Sequence, residues 1–204
     1  MTFPPRFMPR HLPLLLGLLT LVTGMAGCNM SPDAAGGQVS LQSLADADQA
    51  LATEFDHGLY RREDENSLTA ILFAGPPEQP RRALTLRLFW MPRAGATSLD
   101  ASATNATFHY VVFDGEGDAV AVYSGAGFVS PRSRIGKDPL ELFILDTTVH
   151  LVDASEGYAD PIGPGRLTGD LLVARNHDGV EQALDQLNRL VRERLGHPRL
   201  VESH

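Results

Sequence analysis

Ala83-Leu84-Thr85-Leu86-Arg87-Leu88-Phe89-Trp90-Met91 decides the fold class. Leu84, Leu86, Leu88 and Trp90 occupy alternate positions, with Thr85 and Arg87 between them. Successive side chains of a strand point to opposite faces, so a period of two gives one apolar face for a core and one polar face for water. The stretch reads as a half-buried β-strand.

The sequence on either side repeats the theme. Leu68–Ala74 is a short apolar run closed by Gly75-Pro76-Pro77. Thr107–Asp114 and Ala119–Ser124 flank Gly115-Glu116-Gly117, a hairpin signal. Gly127–Ser130 extends the second of these. Leu140–Leu145 and Thr147–Val152 form a nearly continuous β-rich stretch, and Leu167–Arg175 ends the series. Six to seven strands with no helix between them predict an antiparallel β-sandwich or a partly closed barrel.

Two helices are expected to flank the strands. Leu41, Leu44, Leu51, Phe55 and Leu59 recur at helical intervals, with Ser40 as a cap, and predict a helix over 41–60. Arg61–Asn66 (RREDEN) then reads as a solvated connection. The second helix, over 178–196, is marked by Asp178 as N-cap with Glu181 three residues on. Val180, Ala183, Leu184, Leu187, Leu190, Val191 and Leu195 form its apolar face. Arg189, Arg192 and Arg194 suit the negative end of its dipole, and Gly196 and Pro198 stop it. Such a helix needs a sheet face to cover.

The chain has 204 residues, 17 basic and 25 acidic side chains and a formal charge of −8. That length suits one domain. The net acidity disfavours a nucleic-acid partner, because phosphate affinity comes mostly from clustered cations. A single Cys excludes an internal disulfide framework.

The first 28 residues stand apart. Arg6 and Arg10 precede the uncharged Leu12–Thr23 (LPLLLGLLTLVT), which small residues and Cys28 follow. Positive, apolar and small segments in this order form a secretory signal peptide. The apolar run falls short of the roughly 20 residues that a membrane span needs. Met25-Ala26-Gly27-Cys28 resembles the lipobox of bacterial lipoproteins, with Met25 where Leu is usual. The resemblance covers these residues alone. It implies a diacylglyceryl thioether, with fatty acyl chains such as palmitate, on Cys28. It also implies cleavage before that residue, so that 1–27 are removed and the chain is exported and membrane-bound. The mature chain would carry a charge of −10, since two arginines leave with the signal. Asn29, where an Asp would retain an enterobacterial lipoprotein in the inner membrane, implies the outer membrane. Residues 28–40 are expected to be the lipidated Cys and a flexible tether, and 41–204 a single β-rich domain.

Candidate sites in the mature chain are weak. Asp114, Glu116 and Asp118 set three carboxylates in five residues, a candidate Ca²⁺ loop, but position 12 of an EF-hand count is Gly125 rather than Glu. His57, His109, His150 and His177 lack ligand spacing, and no HExxH occurs. His150 is expected to face solvent and His109 to be partly buried. Ser124-Gly125-Ala126-Gly127 lacks the first Gly of a nucleophile elbow and reads as a bulge or tight connection. Trp90, Tyr110 and Tyr123 are core aromatics or a sugar-binding patch. Arg132, Arg134 and Lys137 make the densest basic stretch and a candidate contact loop for anionic lipid, lipopolysaccharide or a carboxylated glycan.

The sequence therefore predicts a lipid-anchored envelope protein without cofactor or metal. It is expected to be a non-enzymatic binding or structural module whose partners are the membrane and an envelope protein or glycan. The alternative is an exported hydrolase whose site assembles only in three dimensions.

Overall fold

A computed structural model of the chain describes residues 35–92, 103–113, 119–134 and 136–200. The expected signal peptide, Cys28 and the candidate Ca²⁺ residues Asp114, Glu116 and Asp118 lie outside the described residues. Among those described are nine strands and one helix: β1 (Gly36–Ser43), β2 (Ala50–Phe55), β3 (His57–Arg62), β4 (Leu68–Ala74), β5 (Arg82–Leu88), β6 (Ala106–Phe113), β7 (Val120–Pro131), β8 (Leu140–Ala154), β9 (Gly165–Arg175) and α1 (His177–Leu195).

They form one mixed sheet in the order β2-β1-β9-β3-β4-β5-β6-β7-β8, with a further β8–β9 pairing. Every pairing is antiparallel except β3–β9, where Leu59 and Tyr60 lie beside Ala174 and Arg175 in parallel. Connections therefore alternate between two ends of the sheet. The β3–β4, β5–β6 and β7–β8 loops share one end, and the β4–β5, β6–β7 and β8–β9 loops share the other. Register shifts near Tyr123, Val129 and Ile144 let β7 and the 15-residue β8 bend as they cross the sheet.

Alternation fixes the two faces. One buries Leu84, Leu86 and Leu88 of β5 with Phe108 and Tyr110 of β6, Tyr123 of β7 and the apolar residues of β8, β9 and β1. The other presents Ile71, Phe73, Val111, Phe113, Val120 and Val122, which are covered by Val180, Leu187 and Val191 of α1. The C-terminal helix thus covers a sheet face as its apolar stripe requires. It starts one residue early, with Asn176 rather than Asp178 as N-cap: Gly179 N–H donates to Asn176 Oδ1 at 2.9 Å. Gly196 closes it in the left-handed region at φ 78°. Among the described residues, no helix is long and apolar enough to cross a membrane.

Three expectations are corrected. Among the described residues the strands number nine, not six to seven. Residues 36–40 are not tether, because β1 begins at Gly36. No helix spans 41–60: β1 turns into β2, and β3 follows after Asp56 alone. The apolar spacing there reflects cross-strand pairing, with Leu41 opposite Leu51. The turn between them is fixed by local acceptors. Ser43 Oγ accepts from Ala45 and Asp46 N–H, and Asp46 Oδ1 accepts from Asp48 N–H. Side chains that satisfy the backbone in this way compete with a helix.

Candidate functional site

The end of the sheet that carries the β3–β4, β5–β6 and β7–β8 loops gathers the surface features of interest. The alternation that makes β5 a strand puts Phe89 in the same phase as Thr85 and Arg87, facing outward, and it is 44% exposed. Phe89, Trp90 and Met91 line an open cleft of about 510 Å³ with Asp64, Glu65 and Asn66. Trp90 is half-buried. Its indole N–H donates to Thr104 O at 3.0 Å, and its ring meets the edge of Phe128 at 5.9 Å. Beneath it, fully buried Asn105 acts as a staple. Its Nδ2 donates to Val129 O at 2.8 Å and Trp90 O at 3.3 Å, and its Oδ1 accepts from Val129 N–H at 2.7 Å.

The acidic side of the cleft is shaped by its own turn. Asp64 Oδ1 accepts from Asn66 and Ser67 N–H at 2.6 and 2.9 Å, and Arg62 Nε donates to Asp64 O at 2.6 Å. The bond from Asn66 N–H, then that from Ser67, holds the Asp64 carboxyl below its ordinary range. The cleft therefore offers an anionic rim beside aromatic and thioether surface. That combination suits stacking and hydrogen bonding.

The basic loop lies at the same end. Arg132 is committed: it pairs with Asp170 at 2.8 Å and stacks over the Phe143 ring at 4.4 Å. Arg134 and Lys137 are exposed. Lys137 N–H donates to Arg134 O at 2.9 Å, and Lys137 O accepts from the Tyr60 hydroxyl at 3.1 Å.

The remaining candidates are scattered. Tyr110 and Tyr123 are fully buried and pack ring to ring at 6.4 Å, so they are core rather than patch. Ser124–Gly127 lies inside β7 and is not a turn. His57 is exposed at the start of β3, and His177 begins α1. Cross-strand register sets Thr85, His109, Ser124 and His150 in one row on the helix-bearing side of the sheet. His150 is exposed there and His109 half-buried, as alternation predicts. Thr85 Oγ1 lies 3.4 Å from His109 Nδ1. Burial, then the nearby Arg199 charge, pulls the His109 pKa below its ordinary 6.5. Among the described residues, no group of three His, Cys, Asp or Glu is placed to hold a metal ion.

Sequence reasoning passed over Asp64–Asn66 as a solvated connection and Phe89 as a strand residue. The phase of Phe89 was the available signal. Comparisons with protein-family models, curated proteins and solved structures gave no match.

Proposed function

We propose that the chain is a lipid-anchored, exported cell-envelope protein that works by surface contact as a binding module. Its strands form a partly closed barrel with a filled interior, and its contact region is the cleft of Phe89, Trp90, Met91, Asp64, Glu65 and Asn66. One observation carries the binding reading: Phe108, Tyr110, Tyr123 and the neighbouring Leu84, Leu86 and Leu88 have zero exposure. A barrel so filled leaves its ligand contacts to the outside. Phe89 is among the few large apolar side chains exposed there. The lipid anchor rests on the signal and lipobox residues up to Cys28.

Two measurements test this. Intact mass of the native protein should show acyl chains on Cys28 and no residues 1–27, and Cys28→Ser should release the protein from membranes. A native chain that begins before Cys28, or lacks acyl mass, would overturn the anchor. Phe89→Ala with Trp90→Ala should abolish recovery of envelope partners that co-purify with the wild type after detergent extraction. Unchanged recovery by a folded double variant would exclude the cleft.

A further inference from the structure

Among the described strands, β2 alone has a single neighbour. Ser43 N–H donates to Gln49 O at 2.9 Å, and the register continues with Leu41 opposite Leu51, Val39 opposite Thr53 and Gly37 opposite Phe55. Antiparallel partners exchange backbone hydrogen bonds at every second pair. The odd-numbered residues of β2 therefore spend their N–H and C=O groups on β1, and Ala50, Ala52 and Glu54 turn theirs outward. Asp56 keeps this phase, and its outward N–H already donates to a strand, meeting Phe73 O of β4 at 2.9 Å. From Glu54 back to Ala50 the outward groups meet no partner among the described residues. This open edge begins at the β1–β2 turn, where Leu44 N–H donates to Pro164 O at 2.8 Å beside the β8–β9 connection. It thus lies at the end of the sheet opposite the Phe89 cleft.

We propose that β2 is a docking edge, at which an extended basic segment of a partner protein adds a strand to the sheet. The proposal stands apart from both the cleft and the lipid anchor. The side chains fit such an addition. Thr53 and Phe55 are buried, and Thr53 Oγ1 lies 2.6 Å from the Tyr110 hydroxyl, so pairing at the edge leaves the core contacts intact. Ala50, Ala52 and Glu54 are exposed. The two alanines leave room for larger cross-strand neighbours. β2 contains no Pro, no Lys and no register shift, the usual obstacles to pairing at an edge. Main-chain hydrogen bonds would supply the affinity of an added strand, and its alternate side chains the preference.

Charge selects the partner. From Gly36 to Asp56 the chain has four acids, Asp46, Asp48, Glu54 and Asp56, and no Lys, Arg or His. All four are exposed. Asp56 Oδ2 accepts from Gly75 N–H at 2.7 Å, in the hairpin that carries Arg81, so cations already stand near that end. Asp48 and Glu54 are left to meet the cations of a partner. A second copy fits badly. Antiparallel pairing of two β2 edges about Ala52 sets Asp48 against Asp56, and parallel pairing sets each acid beside its like. Like charges placed opposite each other work against pairing.

The probe is a fluorescent peptide, Lys-Thr-Val-Thr-Val-Thr-Lys, whose Lys and Val side chains share one face. Its anisotropy with the detergent-extracted full chain should show saturable binding. A peptide with Glu in place of Lys should bind about tenfold more weakly. N-methylation of alternate peptide nitrogens should abolish binding in one phase and spare it in the other, since only every second N–H faces the edge. Bound peptide should slow hydrogen exchange at Ala50, Ala52 and Glu54 but not at Leu51 and Thr53, which are already bonded to β1. Ala52→Pro removes an outward N–H and should weaken binding about tenfold. Glu54→Lys should shift the preference toward the Glu peptide, whereas Glu181→Lys on α1 should not. Absence of binding by the Lys peptide, equal loss from both N-methylated phases, or indifference to Glu54→Lys would overturn the proposal. Dimerisation that Ala52→Pro abolishes, without peptide binding, would also overturn it and give the edge to a second copy.

Discussion

The Tyr123 hydroxyl donates to Asp160 Oδ1 at 2.6 Å, joining the buried middle of β7 to the β8–β9 connection. Tyr158 lies 3.3 Å from the same hydroxyl. Burial, then the bond to Asp160, pushes the Tyr123 pKa far above the phenol range. For Asp160, burial acts upward, but the bonds from Tyr123 and from Ile162 and Gly163 N–H outweigh it, and its pKa falls. A carboxyl with a lowered folded pKa stabilises the fold above its unfolded pKa. That contribution is lost as pH falls from the ordinary 3.8 through the lower folded value. Tyr123→Phe should cost about 1 kcal/mol at neutral pH, roughly 2–4 °C in melting temperature for a domain of this size. Asp160→Asn should flatten the acid limb of the stability curve. Thermal unfolding of both variants between neutrality and strong acid checks this, and an unchanged acid limb in Asp160→Asn would refute the linkage.

His109 gives a second pH signature with its own window. Its folded pKa lies below 6.5 because burial, then Arg199, disfavours the imidazolium. Between the unfolded and folded values the unfolded chain binds a proton that the native state refuses. Stability should therefore fall as pH drops below about 6.5. His109→Gln keeps a polar neighbour for Thr85 and cannot take up that proton. Urea midpoints across this range should fall less steeply for the variant. Parallel curves for variant and wild type would show that His109 is not the titrating group.

Gly127 faces Thr147 where β7 crosses β8. A Cβ there would collide with Thr147 Oγ1, which is buried without a hydrogen-bond partner. Gly125 meets the Thr148 carbonyl in the same way. These contacts explain why two glycines sit inside a strand: the backbones approach too closely for a side chain. Gly127→Ala should destabilise by about 1–3 kcal/mol, the usual range for overpacking. Pairing it with Thr147→Ala, which removes the colliding Oγ1, should recover part of the loss. A neutral Gly127→Ala in denaturant unfolding would disprove the close packing.

The strands were legible where each had two differently used faces. Leu84, Leu86 and Leu88 differ so clearly from Thr85 and Arg87 that period two was the only reading. In 41–60 the same chemistry misled, because Leu41, Leu51, Phe55 and Leu59 fit a helical interval as well as they fit β1, β2 and β3. The deciding residues were Ser43, Asp46 and Asp48, whose side chains satisfy a turn. The helix cap moved from Asp178 to Asn176 for a related reason, since both residue types can accept the same N–H and only backbone geometry chooses. The cleft was barely legible. Phe89 and Asp64 are 25 residues apart in sequence and meet only because the β3–β4 and β5–β6 loops emerge at one end.

The helix α1 gives the last test, since it separates a structural cover from an appendage. Leu187 has zero exposure and belongs to the same cluster as Ile71, Phe73 and Val111. Arg194 adds its guanidinium over the Phe113 ring at 4.9 Å. Beyond the helix, Leu200 is still packed on this face, and Arg199 reaches Asp153 at 3.7 Å and Val152 O at 3.3 Å. Leu187→Ala should cost about 2–5 kcal/mol, a large part of the 5–15 kcal/mol that typically holds a domain together. Glu181→Ala and Arg189→Ala, on the exposed side of the same helix, should stay within about 0.5 kcal/mol. Truncation before Asp178 should expose the whole second face and yield an aggregating chain. Denaturant unfolding of the point variants, with light scattering of the truncated chain, makes the comparison. A soluble truncated protein with an unchanged melting temperature would mean that the second apolar face does not depend on α1.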